Sequence, residues 1–270
     1  MLVLTALAIS LSVIGNQTGE IATTPSSPAA VVDTGIFKIQ FEPRKNLKKR
    51  GRAQSVREDE QLVAAVIADF NNRMVLPFDI PVVFSNCREP DSYYDQDTRQ
   101  IVICHQLIEG YYGLFATRIK EKTRLAEHVK GAITAMSFHE LGHALIDAWK
   151  LPTTGKEEDA ADQLSTLMLM NWTVGGERMV LASAYSFKLF AELSNREGQI
   201  YWDEHSLDEQ RYYDTLCMLY GHNAKRFGYL VKNGTLPEGR SRLCVEDYAR
   251  LSRSWRTLLA PHLKDGWVKF

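Results

Sequence analysis

His139, Glu140 and His143 stand in the order H-E-x-x-H within SFHELGHALIDAW, residues 137–149. On a helix, residues four apart lie on one face, so both imidazoles can reach one metal ion from a rigid support. Glu140, one step round, is placed to take a proton from a water that the ion activates. This is the pattern of zinc hydrolases, with the glutamate as general base. A purely structural metal site has no use for Glu140. At average composition the five-residue pattern arises in roughly one random chain in a hundred, so the rest of the sequence has to decide.

A catalytic zinc needs a third protein ligand and an open position. The stretch TTGKEEDAADQLSTLML, 153–169, offers it. Thr154 and Glu157 have capping-box spacing, which predicts a helix starting at Thr154 and gives Glu157 a structural role. Glu158 and Asp162 then share a helical face. Glu158 is the candidate third ligand, with Asp159 as its rival. Asp162 is placed to accept the other ring N–H of a ligand histidine and fix its tautomer. A third stretch, YWDEHSLDEQRYYDTLCMLYG at 201–221, has capping-box spacing at Ser206 and Glu209. His205 falls just before that helix. Protonated, it could stabilise the oxyanion of a tetrahedral intermediate, with Asp203 or Asp208 holding its orientation. Tyr212 or Tyr213 could do the same work, although helical spacing suits them to packing.

These residues need elements to carry them. Residues 125–149 are rich in Ala, Leu and Met, lack Pro, and are followed by Pro152 and Gly155, as a long helix requires. Upstream, 36–42 (IFKIQFE) alternates as a strand and 57–74 has helical apolar spacing. PVVFSNC (81–87) and QIVICHQL (100–107) read as two strands of a hairpin across the turn-rich 91–100, with QIVICHQL a candidate edge for an extended peptide. From about residue 114 the pattern is helical. The expected class is α+β: a small N-terminal antiparallel or mixed sheet, then a mainly helical, zincin-like domain. Trp202 and Trp255 read as core anchors. His105 reads as a strand residue, His128 as lying on the outer part of the long helix, and His222 and His262 as lying near helix ends.

The 270 residues are 45% hydrophobic and 24% charged with a net charge of −1. That composition supports a sizeable core and gives no electrostatic reason for binding nucleic acid or an anionic membrane. The basic run RKNLKKRGR, 44–52, has one apolar residue and no aromatic, so it reads as a solvated loop. MLVLTALAISLSVIG at the start is too short to span a bilayer and suits a signal-peptide core or an uncleaved anchor. Residues 1–30 are therefore expected to be leader and linker, with cleavage between Ala22 and Ala30, and 31–270 the folded domain. Four cysteines without a C-x-x-C pair argue for two disulfides in an oxidising compartment rather than free thiols; of the three connectivities the local one, Cys87 with Cys104 and Cys217 with Cys244, is favoured because each pair would staple neighbouring elements.

HELGHALI at 139–146, EEDAADQ at 157–163 and DEHSLDEQR at 203–211 together resemble a mostly bacterial family assigned as zinc metallopeptidases. The strands around Cys87 and Cys104, and the pair Cys217 and Cys244, are similar to that family as well, over about residues 35–260. The E-x-x-x-D pattern after H-E-x-x-H is similar to that of gluzincins, the thermolysin-like peptidases. The resemblance implies His139, His143 and Glu158 as zinc ligands, Glu140 as base, Asp162 as the carboxylate behind a ligand histidine, and His205 as the downstream catalytic histidine. It implies a class and no substrate. The expectation is a secreted, periplasmic or envelope-associated zinc metallopeptidase acting on a peptide or protein, with no membrane domain beyond the N-terminal signal or anchor. The alternatives are a non-catalytic zinc-stabilised binding protein with the same fold and a zinc hydrolase of a non-peptide amide.

Overall fold

The computed structural model describes residues 33–44, 50–194 and 200–264, with the side chains of 50–53 left aside. The expected leader lies outside these residues. Val31–Phe270 forms one compact unit, and no helix among the described residues is long and apolar enough to cross a membrane. The class is α+β, mainly helical with one small mixed sheet on the N-terminal side.

The sheet has strands β1 (Phe37–Phe41), β2 (Ile80–Ser85), β3 (Ser92–Asp95) and β4 (Gln100–Cys104) in the order β1-β2-β4-β3. β2 alternates buried and half-buried residues, so one face meets the core. The expected hairpin of 81–87 with 100–107 does not form: β2 and β4 pair in parallel, Val82 opposite Ile101. The hairpin is β3 with β4. Its turn is closed by Asp95 Oδ1, which accepts from the backbone N–H of Asp97 at 2.9 Å and Thr98 at 3.2 Å. The Asp and Ser density of 91–100 hid the β-formers Tyr93 and Tyr94. QIVIC is thus an interior strand, and the edge is β3.

His105 is also corrected. It does not continue β4 but opens helix α2 (His105–Ala116) with no turn residue between. Buried, its Nδ1 lies 2.7 Å from Glu60 Oε1 on α1 (Arg50–Asp69). The helix expected from 57 therefore starts seven residues earlier and ends at Asp69, followed by a 3-10 turn, Phe70–Asn72. Part of the basic run read as solvated loop is helix. Arg44 from that run is no solvated charge either, since its guanidinium pairs with the fully buried Glu60.

The long helix α3 (Lys122–Trp149) is the centre of the molecule. Glu121 caps it, its carboxylate accepting from the N–H of Thr123 at 2.7 Å and Arg124 at 2.6 Å. Lys150 ends it in the left-handed conformation, φ 52°. From Val129 to Trp149 it is buried on nearly every face, as expected of a helix enclosed by others. The sheet with α1 and α2 lies against it on one part, and α4 (Glu157–Trp172) and α5 (Gly176–Leu193) on another. Behind them stands α6 (Asp208–His222). The short α7 (Ala224–Phe227) and α8 (Tyr229–Lys232) lead to α9 (Glu238–Leu259), which packs on α6.

Both expected disulfides are present. Cys87–Cys104 ties the chain after β2 to the end of β4, and Cys217–Cys244 ties α6 to α9. Beside the second, a Cβ on Gly221 would stand 2.2 Å from the Cys244 carbonyl oxygen, so glycine permits that close helix packing. Trp255 is buried as expected. Trp202 is not a core residue; it is 86% exposed on the segment leading to His205. The two predicted capping boxes are displaced. α4 starts at Glu157 without a side-chain cap, and at α6 Gln210 Oε1 accepts from the Leu207 N–H at 3.1 Å.

Candidate metal centre

α3 and α4 form the site, and Gly142 sets how close they come. A Cβ there would lie 3.1 Å from Ala161 Cα and 3.3 Å from its Cβ on α4. Glycine removes that contact and lets the first turns of α4 reach His139 and His143.

The close approach gathers three side chains. His139 Nε2 lies 3.2 Å from His143 Nε2 and 3.0 Å from Glu158 Oε2, and His143 Nε2 lies 3.4 Å from Glu158 Oε1. These atoms form a group able to hold one metal ion. Donors about 2.05 Å from a tetrahedral zinc stand about 3.3 Å from one another. The separations are of that size, each ring meeting a different oxygen of the Glu158 carboxylate, and two nitrogens with one carboxylate match the donor set of a catalytic zinc.

Both rings are held from behind. Asp162 Oδ1 lies 2.8 Å from His139 Nδ1, and Glu157 Oε1 lies 2.8 Å from His143 Nδ1. Ionised carboxylates only accept, so each Nδ1 donates to its carboxylate, which leaves each Nε2 as the atom that would turn its lone pair to a bound ion. Asp162 is itself fixed by Arg211, whose Nε donates at 2.7 Å to Oδ2 and whose terminal nitrogen donates at 2.9 Å to Oδ1. Arg211 also lies over the Phe187 ring at 4.1 Å.

The carboxylates dominate the local field. Burial pushes His139 down, but hydrogen bonds to Asp162 and Glu158 outweigh it and carry the ring up to about 9. Burial pushes Glu158 up, yet its hydrogen bonds to His139, His143 and His205 hold it far below the usual carboxylate range. Asp162 is likewise depressed against its burial, by the Arg211 charge and by His139. Glu140 goes the other way: burial raises it, the direction that suits a general base. Only 5% exposed, it accepts from Ser92 Oγ on β3 at 3.0 Å.

His205 stands where the sequence placed it, before α6, with Nε2 2.8 Å from Glu158 Oε2. Its Nδ1 is 3.2 Å from Asp203 Oδ1, which also accepts from the His205 N–H at 2.8 Å. Asp203, rather than Asp208, is therefore the orienting partner. Glu158 foremost raises the His205 pKa. The loop is fastened to α4: Lys156 Nζ donates to the carbonyls of Asp203 and His205, each at 3.0 Å, and Ser206 Oγ to Asp159 Oδ1 at 2.7 Å. Asp159, the rival ligand, is used in that contact and is outside the triangle. Tyr212 is buried packing and Tyr213 is partly exposed on the same helix; neither lines the cleft.

The triangle opens into a cleft of about 440 Å³ between β3, α3, the start of α4 and the His205 loop. A family model described as "Putative metallopeptidase" matches residues 42–259. The chain belongs to this family. The match covers every residue of the centre, from Ser92 on β3 to Arg211 on α6, so the metallopeptidase family assignment and the geometry concern the same part of the chain. No curated protein and no solved structure matches it.

Sequence reasoning missed Glu157, Ser92 and Arg211. Glu157 does carry a signal: two ligand histidines need two acceptors, and Asp162 supplies only one. Ser92 and Arg211 carry no local signal, because each meets its partner across a distance in sequence of about fifty residues.

Proposed function

We propose that the chain is a zinc-dependent peptidase in which His139, His143 and Glu158 hold the ion. The observation that carries this is the zinc-sized triangle of donors opening, beside the buried Glu140, into one cleft. A bound zinc supplies Lewis acidity, polarising the scissile carbonyl and lowering the pKa of water. Glu140 accepts the proton of the attacking water and delivers it to the leaving amine. Its burial and the Ser92 hydroxyl keep it in one orientation. Asp162 and Glu157 hold the imidazole tautomers, and Arg211 holds Asp162. His205, which Glu158 favours in its protonated form, places positive charge beside the reacting carbonyl, where an oxyanion develops.

The substrate is a peptide or protein segment. β3 leaves its outer edge unpaired among the described residues, and three of its residues, Ser92, Tyr93 and Tyr94, line the cleft. An extended chain can add to such an edge through backbone hydrogen bonds. Two disulfides suit a secreted, periplasmic or envelope location.

The test is metal content and peptide hydrolysis measured on wild type, Glu158→Ala and Glu140→Gln. Wild type should bind one zinc and cleave. Glu158→Ala should lose most of its zinc, whereas Glu140→Gln should keep it and lose at least about a thousandfold in turnover. Retained turnover in Glu140→Gln would sink the mechanism.

A further inference from the structure

The cleft has a charge pattern that the hydrolytic chemistry does not require. Among the described residues its lining carries the carboxylates of Asp91, Glu140, Glu157, Glu158 and Glu204, and no lysine or arginine. A divalent ion offsets two of these five charges and the His205 imidazolium, which lines the same cleft, a third. Glu158 and Glu140 serve the ion and the proton transfer, and Glu157 holds His143. Asp91 and Glu204 stand outside the triangle, although Glu204 also forms a group with Glu158 and His205 whose ligand-type atoms lie within 4.8 Å of one another. Among the described residues neither Asp91 nor Glu204 forms an ion pair with lysine or arginine; Asp91 Oδ1 accepts from the Ser92 N–H at 2.9 Å. The nearby cation, Lys156, is engaged with two carbonyls of the His205 loop. A second feature points into the same space. Glu140 is almost wholly buried, Ser92 occupies one of its oxygens, and the other has no hydrogen-bond partner among the described residues.

Asp91 precedes β3, and Glu204 sits on the loop across the cleft, so the excess charge flanks the path along the β3 edge. Charge of one sign in a partly enclosed cleft concentrates ligands of the opposite sign and repels its own. We propose that the cleft selects peptides carrying lysine or arginine beside the scissile bond and rejects those carrying aspartate or glutamate there. This deepens the peptidase reading and rests on it. Asp91 and Glu204 are the residues that set the preference.

The full-length, zinc-loaded chain is offered a randomised peptide mixture, and the new termini are read by mass spectrometry at about 50 and 300 mM salt. Basic residues flanking the cut should be favoured over acidic ones by about tenfold or more, and the ratio should shrink at high salt. It should also shrink in Asp91→Asn/Glu204→Gln and fall further in Glu204→Lys. Cleavage with no charge preference overturns the proposal and leaves the peptidase reading standing. No cleavage at all overturns the peptidase reading. The charge preference is then decided by titrating zinc-loaded Glu140→Gln with fluorescent lysine-rich and glutamate-rich peptides, and equal affinities overturn it. A second zinc per chain that is lost in Glu204→Gln also overturns it, because those carboxylates would then belong to an ion.

Discussion

Two carboxylates do the same job behind the two histidines of α3, yet they differ in what else depends on them. Asp162 holds His139 and is the only carboxylate that Arg211 is shown to bond, and Arg211 is largely buried. Asp162→Asn should weaken zinc binding by about tenfold to a hundredfold. It should also lower stability by about 3 kcal/mol, because the guanidinium is left buried and unpaired. Glu157 is more exposed and holds only His143. Glu157→Gln should cost about tenfold in zinc affinity with little change in stability. Zinc titration beside urea unfolding separates the two effects. A further buried acid lies away from the site. Asp59 on α1 accepts from Tyr112 Oη at 2.9 Å, and its other oxygen has no partner. Burial pushes Asp59 up to about 6. The unfolded chain ionises Asp59 near 4 while the folded chain still holds the proton, so its contribution to stability is full below pH 4. That contribution is lost as pH rises through about 6, and the loss amounts to about 3 kcal/mol. Unfolding free energies of wild type and Asp59→Asn at pH 4 and pH 7 should show this fall in the wild type alone.

At the scale of elements, the site depends on the α3–α4 contact at Gly142. Gly142→Ala gains helix propensity of about 1 kcal/mol, but the new Cβ presses on Ala161. The two effects should nearly cancel in stability. Zinc affinity should nevertheless fall, because α4 can relieve the contact only by moving Glu158 and Asp162 away from the histidines. Equal melting temperatures with weakened zinc binding would establish that. The sheet contributes at the opposite wall. Tyr94 Oη donates to Asp147 on α3 at 2.8 Å, pinning the edge strand to the helix that carries the histidines.

Taken as a whole, the molecule is a central helix whose surroundings are cross-linked at two places. Cys217–Cys244 joins α6, which carries Arg211, to α9. The two cysteines are separated by 27 positions, so the entropy of closing that loop favours the folded chain by about 3.5 kcal/mol. Cys217→Ser/Cys244→Ser should lower stability by that order, read by urea unfolding of the oxidised proteins. The zinc triangle should survive in the folded fraction, since all three of its donors lie on α3 and α4.

The sequence by itself determined what rests on local periodicity. One helical turn separates His139 from His143, and another separates Glu158 from Asp162, so each pair shared a face before any packing was known. Alternation of apolar residues marked β1, a run of β-formers marked β2, and the cysteine spacing suited the pairing that formed. What the tertiary structure decided depends on contacts between distant segments. Parallel pairing of β2 with β4 makes β3 the edge strand, and β3 brings Ser92 to Glu140, 48 positions away. Arg211 reaches Asp162 over 49 positions. Trp202 reads as a core anchor because aromatic type alone signals burial, and only the packed chain shows it exposed. Glu157 looked like a helix cap because the spacing permits one. The approach of α4 to His143 gave it a histidine to hold instead, since a buried ring N–H left without an acceptor is costly and a carboxylate stood within reach.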